Sequence, residues 1–500
     1  MPAASSLHLE SVGSRDEARA VFGRFFRGSS AYRAYLGAQG LASSEVEADA
    51  LPWERIPLLT KKGFYAAKSW RDLVPEEARR DVFAVIRSSG STSGGAGGGF
   101  FWPQLKSSAA RLAPLYADTL IQTFALRDKG TLVITGLSMG SWAGGEQFSF
   151  MFKSLALRPD LRVVVFSPGN QHAEILEIIE ACHEDFEQII VGLCPSAIFY
   201  LERLAQQKGQ VLPLAKMRFW VTGEPFPEAM RLDLQARSGA REPSMLSVYG
   251  SADTGVIGVE SPALIRLRQE LSANSDWALE LGMASRLVPN LYHLVPGAAY
   301  YERVADELVV TQWQGVPLVR YNLQDRARLF SWKELRAFMS AKNPAQSAFW
   351  ENKDLEGLPD VVSVEGRSQG CVFLCGSNIF ESMIQESFAL SRLETIGSGH
   401  FVCWTEIEQG QQVLCWQIEL KDKVPRPSAT EELALKAELV DALGRQQPEF
   451  AEDYDKFYKP FEGQGLHIFR LHFCEAPHLA AHPKLKAHFK RKTLIDHGPL

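Results

Sequence analysis

The sequence predicts an α/β fold in two parts: a large N-terminal α/β domain over residues 1–365 and a small α+β domain over residues 366–500. Three observations predict it. From Val82 onward, short β-branched runs (VFAVIRSS, TLVIT, RVVVFS, QIIVG, MRFWVTG, MLSVYG) alternate with amphipathic stretches at 171–182 and 198–207, the pattern of a largely parallel sheet. Over residues 306–328 the runs ELVVTQW, PLVRYN and DRARLF are more polar and closely spaced, which predicts a smaller antiparallel unit beside that sheet. Beyond Gly366 the strands CVFLCG, HFVCWTEI and QQVLCWQIEL occur with helical stretches near 380–393 and 431–443, a separate α+β unit. A chain of 500 residues also exceeds what one compact core accommodates.

The elements follow in order. Residues 17–26 and 31–36 carry apolar residues at helical spacing, and Thr60-Lys61-Lys62, after a loop with Pro52 and Pro57, reads as a helix start. The polar stretch 343–360 reads as an inserted loop before the second domain. Hydrophobic residues make up 46% of the chain and charged residues 22%, with a formal charge of −6. With no long basic run, nucleic acid is excluded as a main partner. The apolar runs are too short to span a membrane, and the N-terminal twenty residues lack the apolar core of a signal peptide. Seven scattered cysteines without a C-x-x-C predict reduced thiols in a cytoplasmic protein. Two of them, Cys403 and Cys415, read as core residues of strands.

Residues 87–99, RSSGSTSGGAGGG, follow the strand VFAVI. Glycines let backbone N–H groups approach an anion, and Ser and Thr hydroxyls add neutral donors, so the segment is a phosphate cradle by physical type. A flexible surface loop has the same composition. Its neighbours decide between the two: LPWERIPLLTKKGF upstream, then WVTGEPFPEAMR (220–231), SVYGSADTG (247–255), GVPLVRYNLQDRARL (315–329) and GRSQGCVFLCGSNIFESMIQE (366–386). This ordered set resembles the acyl-adenylate-forming superfamily, most of all the branch containing phenylacetate–CoA ligase, from about Leu51 to the C-terminus.

The resemblance implies the adenylate-forming architecture and a reaction of a carboxylic acid with ATP to acyl-AMP and pyrophosphate, followed by transfer to a thiol. Coenzyme A is the implied acceptor, with the phosphopantetheine arm of an acyl-carrier protein as the alternative. Ser88, Ser89, Gly90, Ser91, Thr92 and Gly94 fall on the phosphate loop, Thr92 counting with the catalytic groups. The loop departs from the family pattern by ending in glycines, with Ala96 near the place where a lysine often sits. Gly223, Glu224 and Pro225 match the adenine-lining element, and Tyr249 and Gly250 a segment beside adenine and substrate. Asp253 falls where the family has a Mg²⁺-holding Glu, one methylene longer. Asp325 matches the carboxylate that binds the ribose hydroxyls; a salt bridge to Arg320, Arg326 or Arg328 is the competing reading. Arg367 matches a nucleotide contact, and Gln369 stands at the usual acidic hinge, with Gly370 after it. PKLKAHFKRKTLIDHG resembles the segment of the catalytic lysine, which puts Lys490 in that role, with Lys484, Lys486 and Lys492 nearby. The acid pocket draws on Ser138, Trp142, Gly144, Gly145, Pro195 and Ser247; Trp142 and Phe148 suit an aromatic or medium-sized apolar acid, or are plain core.

Other readings compete. GLSMG (136–140) is a formal G-x-S-x-G after the strand TLVIT, which in a hydrolase would make Ser138 a nucleophile. Six histidines crowd the last part of the chain, but their spacings are irregular and no carboxylate or thiol pattern accompanies them, against a metal site. The missing loop lysine and Gln369 also fit a nucleotide-binding homologue that does not turn over.

Overall fold

The computed structural model describes residues 7–41, 51–66, 68–88, 100–283, 288–367, 371–374, 377–408, 411–464, 467–479 and Leu494. They divide into two compact units. The first runs to 367 except for 196–203; the second comprises 196–203 and the described residues from Cys371 onward.

The first unit is built on a thirteen-stranded sheet. Two short strands, β1 (His8–Leu9) and β2 (Ser11–Val12), precede a separate two-stranded hairpin of β3 (Val82–Arg87) and β4 (Phe101–Leu105). The parallel part then follows: β5 (Thr131–Thr135), β6 (Val163–Phe166), β7 (Gln188–Leu193), β8 (Met217–Val221) and β9 (Met245–Ser251). Their order in the sheet is β6-β5-β7-β8-β9, all pairs parallel. Helices Ala143–Ala156, His172–Cys182, Pro195–Gln207 and Glu228–Ser238 connect them. The strands TLVIT, QIIVGL and MRFWV are buried throughout, as a sheet covered on both faces requires. Between them and the helices lies a core of Phe124, Val133, Phe148, Phe152, Ile190, Trp220 and Leu246.

At β9 the sheet changes sense. It continues antiparallel through β10 (Gly255–Val259), β11 (Asn290–Leu294), β15 (Val361–Arg367), β14 (Pro317–Phe330), β13 (Glu307–Trp313) and β12 (Tyr300–Val304) to β2, with β1 on β14. The antiparallel strands are therefore one continuous sheet with the parallel ones, where the sequence suggested a unit packed beside it. PLVRYN and DRARLF, read as two runs, form the single fourteen-residue β14; Arg320 and Gln324 take positive φ (+42° and +61°) within it. The stretch 343–360 is not a plain loop. It holds the short helical turns Pro344–Gln346, Ser347–Trp350 and Lys353–Leu355, pinned by the buried Trp350.

Helices Arg15–Gly28 and Ser30–Ala38 pack Phe22, Phe25 and Tyr32 onto this half. Both begin at serines whose side chains accept from the backbone N–H three residues on. Thr60 caps a π-helical turn, Lys61–Tyr65, rather than an α-helix.

The second unit has a hairpin of β16 (Cys371–Leu374) and β17 (Ser377–Phe380) and a three-stranded sheet. In that sheet β18 (Gly397–Glu408) runs antiparallel to β19 (Gln411–Leu420), and β20 (Phe469–Cys474) runs parallel to β19. Phe388 and Phe401 stack at 4.2 Å, and Leu439 and Leu443 of helix Ala429–Gln446 complete the core. Ser428 and Glu431 start that helix with a capping box. Cys403 and Cys415 are buried strand residues, and burial pushes the Cys415 thiol up to about 12.

Candidate active site

In a parallel sheet of order β6-β5-β7-β8-β9 the crevice for ligands lies beyond the carboxyl ends of the strands. The predicted residues of the first unit collect there. Ser138 follows β5, Pro195 follows β7, Gly223-Glu224-Pro225 follow β8, Tyr249 and Gly250 end β9, and Asp253 follows it.

Two side-chain bonds define the site. The Tyr249 hydroxyl donates to Asp325 Oδ2 at 2.6 Å, and the Tyr321 hydroxyl donates to Asp253 Oδ2. Both join the end of β9 to β14, although β10, β11 and β15 lie between these strands in the sheet. The antiparallel strands are thus rolled until β14 faces the end of β9, which is the accumulated strand twist put to use. Gln312 of β13 closes the same roll, donating to the Thr254 carbonyl at 2.9 Å.

Asp325 is buried, and its backbone is the register partner of Arg367 at the end of β15. Two of the three arginines that could have claimed its carboxylate are engaged elsewhere. Arg320 donates to the carbonyls of Trp53, Glu54 and Ile56 and pairs with Glu302 at 3.4 Å, while Arg328 pairs with Glu365 at 3.1 Å. The Asp253 carboxylate accepts from the Ser251 and Tyr321 hydroxyls. One carboxylate held this way, with substrate phosphates supplying further oxygens, suits Mg²⁺, which keeps most of its waters and takes few protein ligands. Among the described residues no group of three or more His, Cys, Asp or Glu is arranged to hold a metal by itself.

Gly223 takes φ +88°, conformationally open to glycine, and a side chain there would meet Cys194 Sγ at 3.5 Å. Behind it lies a buried ionic cluster: Arg231 to Glu260 at 2.8 Å and to Glu228 at 3.3 Å, and Arg268 to Glu228 at 3.3 Å. Arg268 also donates to the carbonyls of Phe226 and Val288, so the cluster fixes the turn after β8 from within. Burial raises the Glu228 carboxyl, against the lowering pull of Arg231 and Arg268.

The acid-pocket candidates divide. Trp142 is half-buried, with the Arg87 guanidinium 5.4 Å from its ring centre. Gly145 is a packing glycine, since a β-carbon there would strike the Ser138 carbonyl; Gly144 is exposed. Ser247 is 1% exposed, its hydroxyl 3.0 Å from that of Tyr292, which stacks on Tyr249 at 5.5 Å. It therefore supports Tyr249 from behind. Phe148 packs against Gly192 and Trp220 in the core. The Ser138 hydroxyl meets the Asn170 amide at 3.3 Å, and the following helix begins only at Ala143, so no strand-to-helix nucleophile elbow forms.

The glycine-rich segment lies between β3 and β4, which pair antiparallel as a hairpin. Ser88 is described: it is buried, bonded through its N–H to the Phe100 carbonyl at 3.1 Å, and it accepts from Lys61 Nζ at 2.8 Å. Ser89, Gly90, Ser91, Thr92, Gly94, Gln369, Gly370, Lys490 and the lysines near it lie outside the described residues, as does the Arg367 side chain. Tyr321 and Lys61 were missed from sequence. Tyr321 stands in the quoted RYN element and could have been found there; Lys61 sits in an ordinary polar run.

No family model and no curated protein matches this chain. Among solved structures, a 2-hydroxyisobutyryl-CoA ligase in complex with 2-HIB-AMP and CoA, in its thioesterification state, aligns with TM-score 0.51 and 13% identity over 99% of this chain and 94% of that one. The acyl acid amido synthetase AtGH3.15 aligns at TM-score 0.42 and 10% identity, over 97% and 92%. An acyl-CoA synthetase (AMP-forming)/AMP-acid ligase II-like protein from Dyadobacter fermentans DSM 18053 aligns at 0.32 and 15%, over 78% and 83%. The first of these establishes the fold, and nothing rests on the other two. The chain has the adenylate-forming architecture, with a large sheet domain and a separate small C-terminal sheet domain.

Proposed function

We propose that the chain activates a small carboxylic acid with ATP and passes the acyl group to the thiol of coenzyme A. The observation that carries this reading is the pair of bonds Tyr249–Asp325 and Tyr321–Asp253, which gathers the nucleotide-type elements beyond the carboxyl ends of β8 and β9. In the proposed reaction a carboxylate oxygen attacks the α-phosphorus of ATP. The bond from that phosphorus to the bridging oxygen breaks, and its electron pair leaves with pyrophosphate. The thiol then gives up its proton to solvent and attacks the acyl carbon, and the bond to AMP breaks.

Asp325 would accept both ribose hydroxyls, exchanging its present Tyr249 donor for the nucleotide's. The backbone around Gly223, rigid on its ionic cluster, would line the adenine. Asp253 would hold Mg²⁺, whose charge offsets that of the phosphates. Lys490 would stabilise the charge developing as carboxylate and α-phosphate meet. Coenzyme A is favoured as acceptor because the aligned 2-hydroxyisobutyryl-CoA ligase holds an acyl-AMP and CoA together. An aromatic acid remains the reading of Trp142. The test is ATP–pyrophosphate exchange across a panel of aliphatic and aromatic acids, with thioester formation from CoA read on those that respond. Acid-dependent exchange is the expected result. No exchange with any acid, in a protein that binds ATP, would leave a nucleotide-binding homologue instead; exchange without thioester would move the acceptor to a carrier protein.

A further inference from the structure

An arginine carries a permanent charge and five donors, and a fold that draws one out of water supplies partners for both. The buried arginines of the first unit obey this: Arg231, Arg268 and Arg320 each pair with a carboxylate, at 2.8, 3.3 and 3.4 Å. Arg87, the last residue of β3, does not. Its Nε is closed to water and meets no acceptor. Among the described residues no carboxylate pairs with its guanidinium, which lies 5.4 Å from the centre of the Trp142 ring. An aromatic face offsets part of the charge, but it is no acceptor for the fork of N–H groups.

The backbone sets this pair at the crevice. The Arg87 N–H bonds the Ser141 carbonyl at 2.6 Å, and residues 87 and 142 form a parallel bridge. Trp142 belongs to the loop between β5 and helix Ala143–Ala156, beyond the carboxyl end of β5. Ser138, in the same loop, meets the Asn170 amide from the loop after β6 at 3.3 Å. The hairpin strand β3 therefore lays its terminal guanidinium against the rim of the parallel sheet, the rim at which ligands of such sheets sit. Arg87 and Trp142 are both half-buried, so each keeps surface open to a ligand.

A wholly apolar acid does not suit this pair. Lying along Trp142, it would strip water from the guanidinium and return no acceptor, and an unsatisfied buried donor costs about 1–3 kcal/mol, more when charged. A carboxylate does suit it, because two oxygens match the guanidinium fork in parallel bonds. The carboxylate that reacts is a poor candidate for this place. It has to meet the α-phosphorus, and hydrogen bonds from a guanidinium lower its basicity and with it its nucleophilic strength. The group that fits Arg87 is a second carboxylate at the far end of the same acid, with the stem between the two lying along the indole.

We propose that Arg87 is a specificity residue of this chain and that the acid it selects is a dicarboxylic acid, one carboxylate activated and the other held by the Arg87 guanidinium beside Trp142. The inference rests on the adenylation reading and narrows its substrate class.

The experiment is ATP–pyrophosphate exchange by the full chain with matched acids: butyrate against succinate, hexanoate against adipate, benzoate against terephthalate. The expected result is exchange with at least one dicarboxylate at a half-maximal concentration roughly tenfold or more below that of its monocarboxylate partner. Arg87→Met keeps a stem against Trp142 and removes the fork. It should reduce that preference roughly tenfold to a hundredfold, the scale of one charge-assisted bond. Arg87→Lys should recover only part of it, because an ammonium is a point charge and not a fork. Arg87→Gln gives the same reading if the Met variant does not fold. Equal half-maximal concentrations within every pair would overturn the inference and leave the adenylation reading intact. An unchanged preference in either neutral variant would do the same. Calorimetric titration of the variants with ATP tests the other source of an anion: a loss of ATP affinity as large as the loss of preference would put a phosphate on Arg87 and overturn the inference. No exchange with any acid would overturn the adenylation reading itself, and the inference with it.

Discussion

Asp325 shows how a side chain in this site is prepared before its ligand arrives. A buried carboxylate without donors is costly, and here the Tyr249 hydroxyl supplies one at 2.6 Å. In the proposed site a ribose would displace or share that donor, so the tyrosine would set part of the affinity. Asp325→Ala should weaken ATP by roughly tenfold or more, since charge-assisted bonds contribute about 1.5–3 kcal/mol each. Acid affinity, read as the acid concentration for half-maximal exchange, should change little. A loss confined to the acid would show that the carboxylate serves another part of the site. Tyr321 and Asp253 repeat the arrangement four residues away along the chain on each side. These pairings were not legible in the sequence, because three strands separate β9 from β14 and nothing local signals that the sheet rolls to join them. The motifs themselves were legible, because each is short, ordered and rich in glycine or charge. The hydrogen bond between Ser247 and Tyr292 was not legible either, because a serine on a strand gives no sign of which face it occupies until its neighbours are known.

Among the elements, the parallel strands were read closely from sequence because five of them carry unbroken apolar or β-branched runs. The antiparallel half was read less well. β14 bends through positive φ at Arg320 and Gln324, residues that rarely adopt it, so the polar middle of the strand looked like a break between two strands. The stretch 343–360 looked like a loop because its polar residues outnumber the one buried tryptophan that organises it. Close packing between β7 and helix Ala143–Ala156 gives a direct test of the core assignment of Phe148. A β-carbon added to Gly192 would lie 2.6 Å from the Phe148 ring. Gly192→Ala should therefore destabilise the protein by about 1–3 kcal/mol, as overpacking does. In a Phe148→Leu background the added cost should shrink, because the two sites share one space. Urea denaturation of the four proteins measures both terms. Strictly additive losses would mean that Phe148 does not face Gly192, and would reopen its place near the acid.

For the whole molecule, two measurements separate chemistry from folding. Lys490→Ala should suppress acid-dependent ATP–pyrophosphate exchange by roughly a hundredfold or more, the scale for losing one preorganised electrostatic group. Given synthetic acyl-AMP and coenzyme A, the same variant should still form thioester; equal damage to both half-reactions would argue against a role confined to adenylation. The second measurement concerns pH. Burial lowers His172 and His293 to about 4, so between 6.5 and 4 the unfolded chain binds protons that the folded chain refuses. The stability these neutral rings confer is complete above 6.5 and is lost as pH falls toward 4, at up to about 1.4 kcal/mol per pH unit for each ring. Glu228, raised by burial, acts in the opposite sense, so the comparison needs a variant. His293→Gln should lower stability overall yet flatten this slope by about one proton, and an unchanged slope would show that His293 titrates normally. Last, Arg320 donates to the Trp53 carbonyl across 267 residues of sequence, and Leu59 beside it is stitched to the same strand. A ribosome adding about 5–20 residues each second needs on the order of tens of seconds to cover that distance. Throughout that interval the turn carrying Lys61 exists as chain without its anchor. A nucleotide site of the proposed kind can therefore form only once synthesis has passed β14, so that incomplete copies of the chain would lack it.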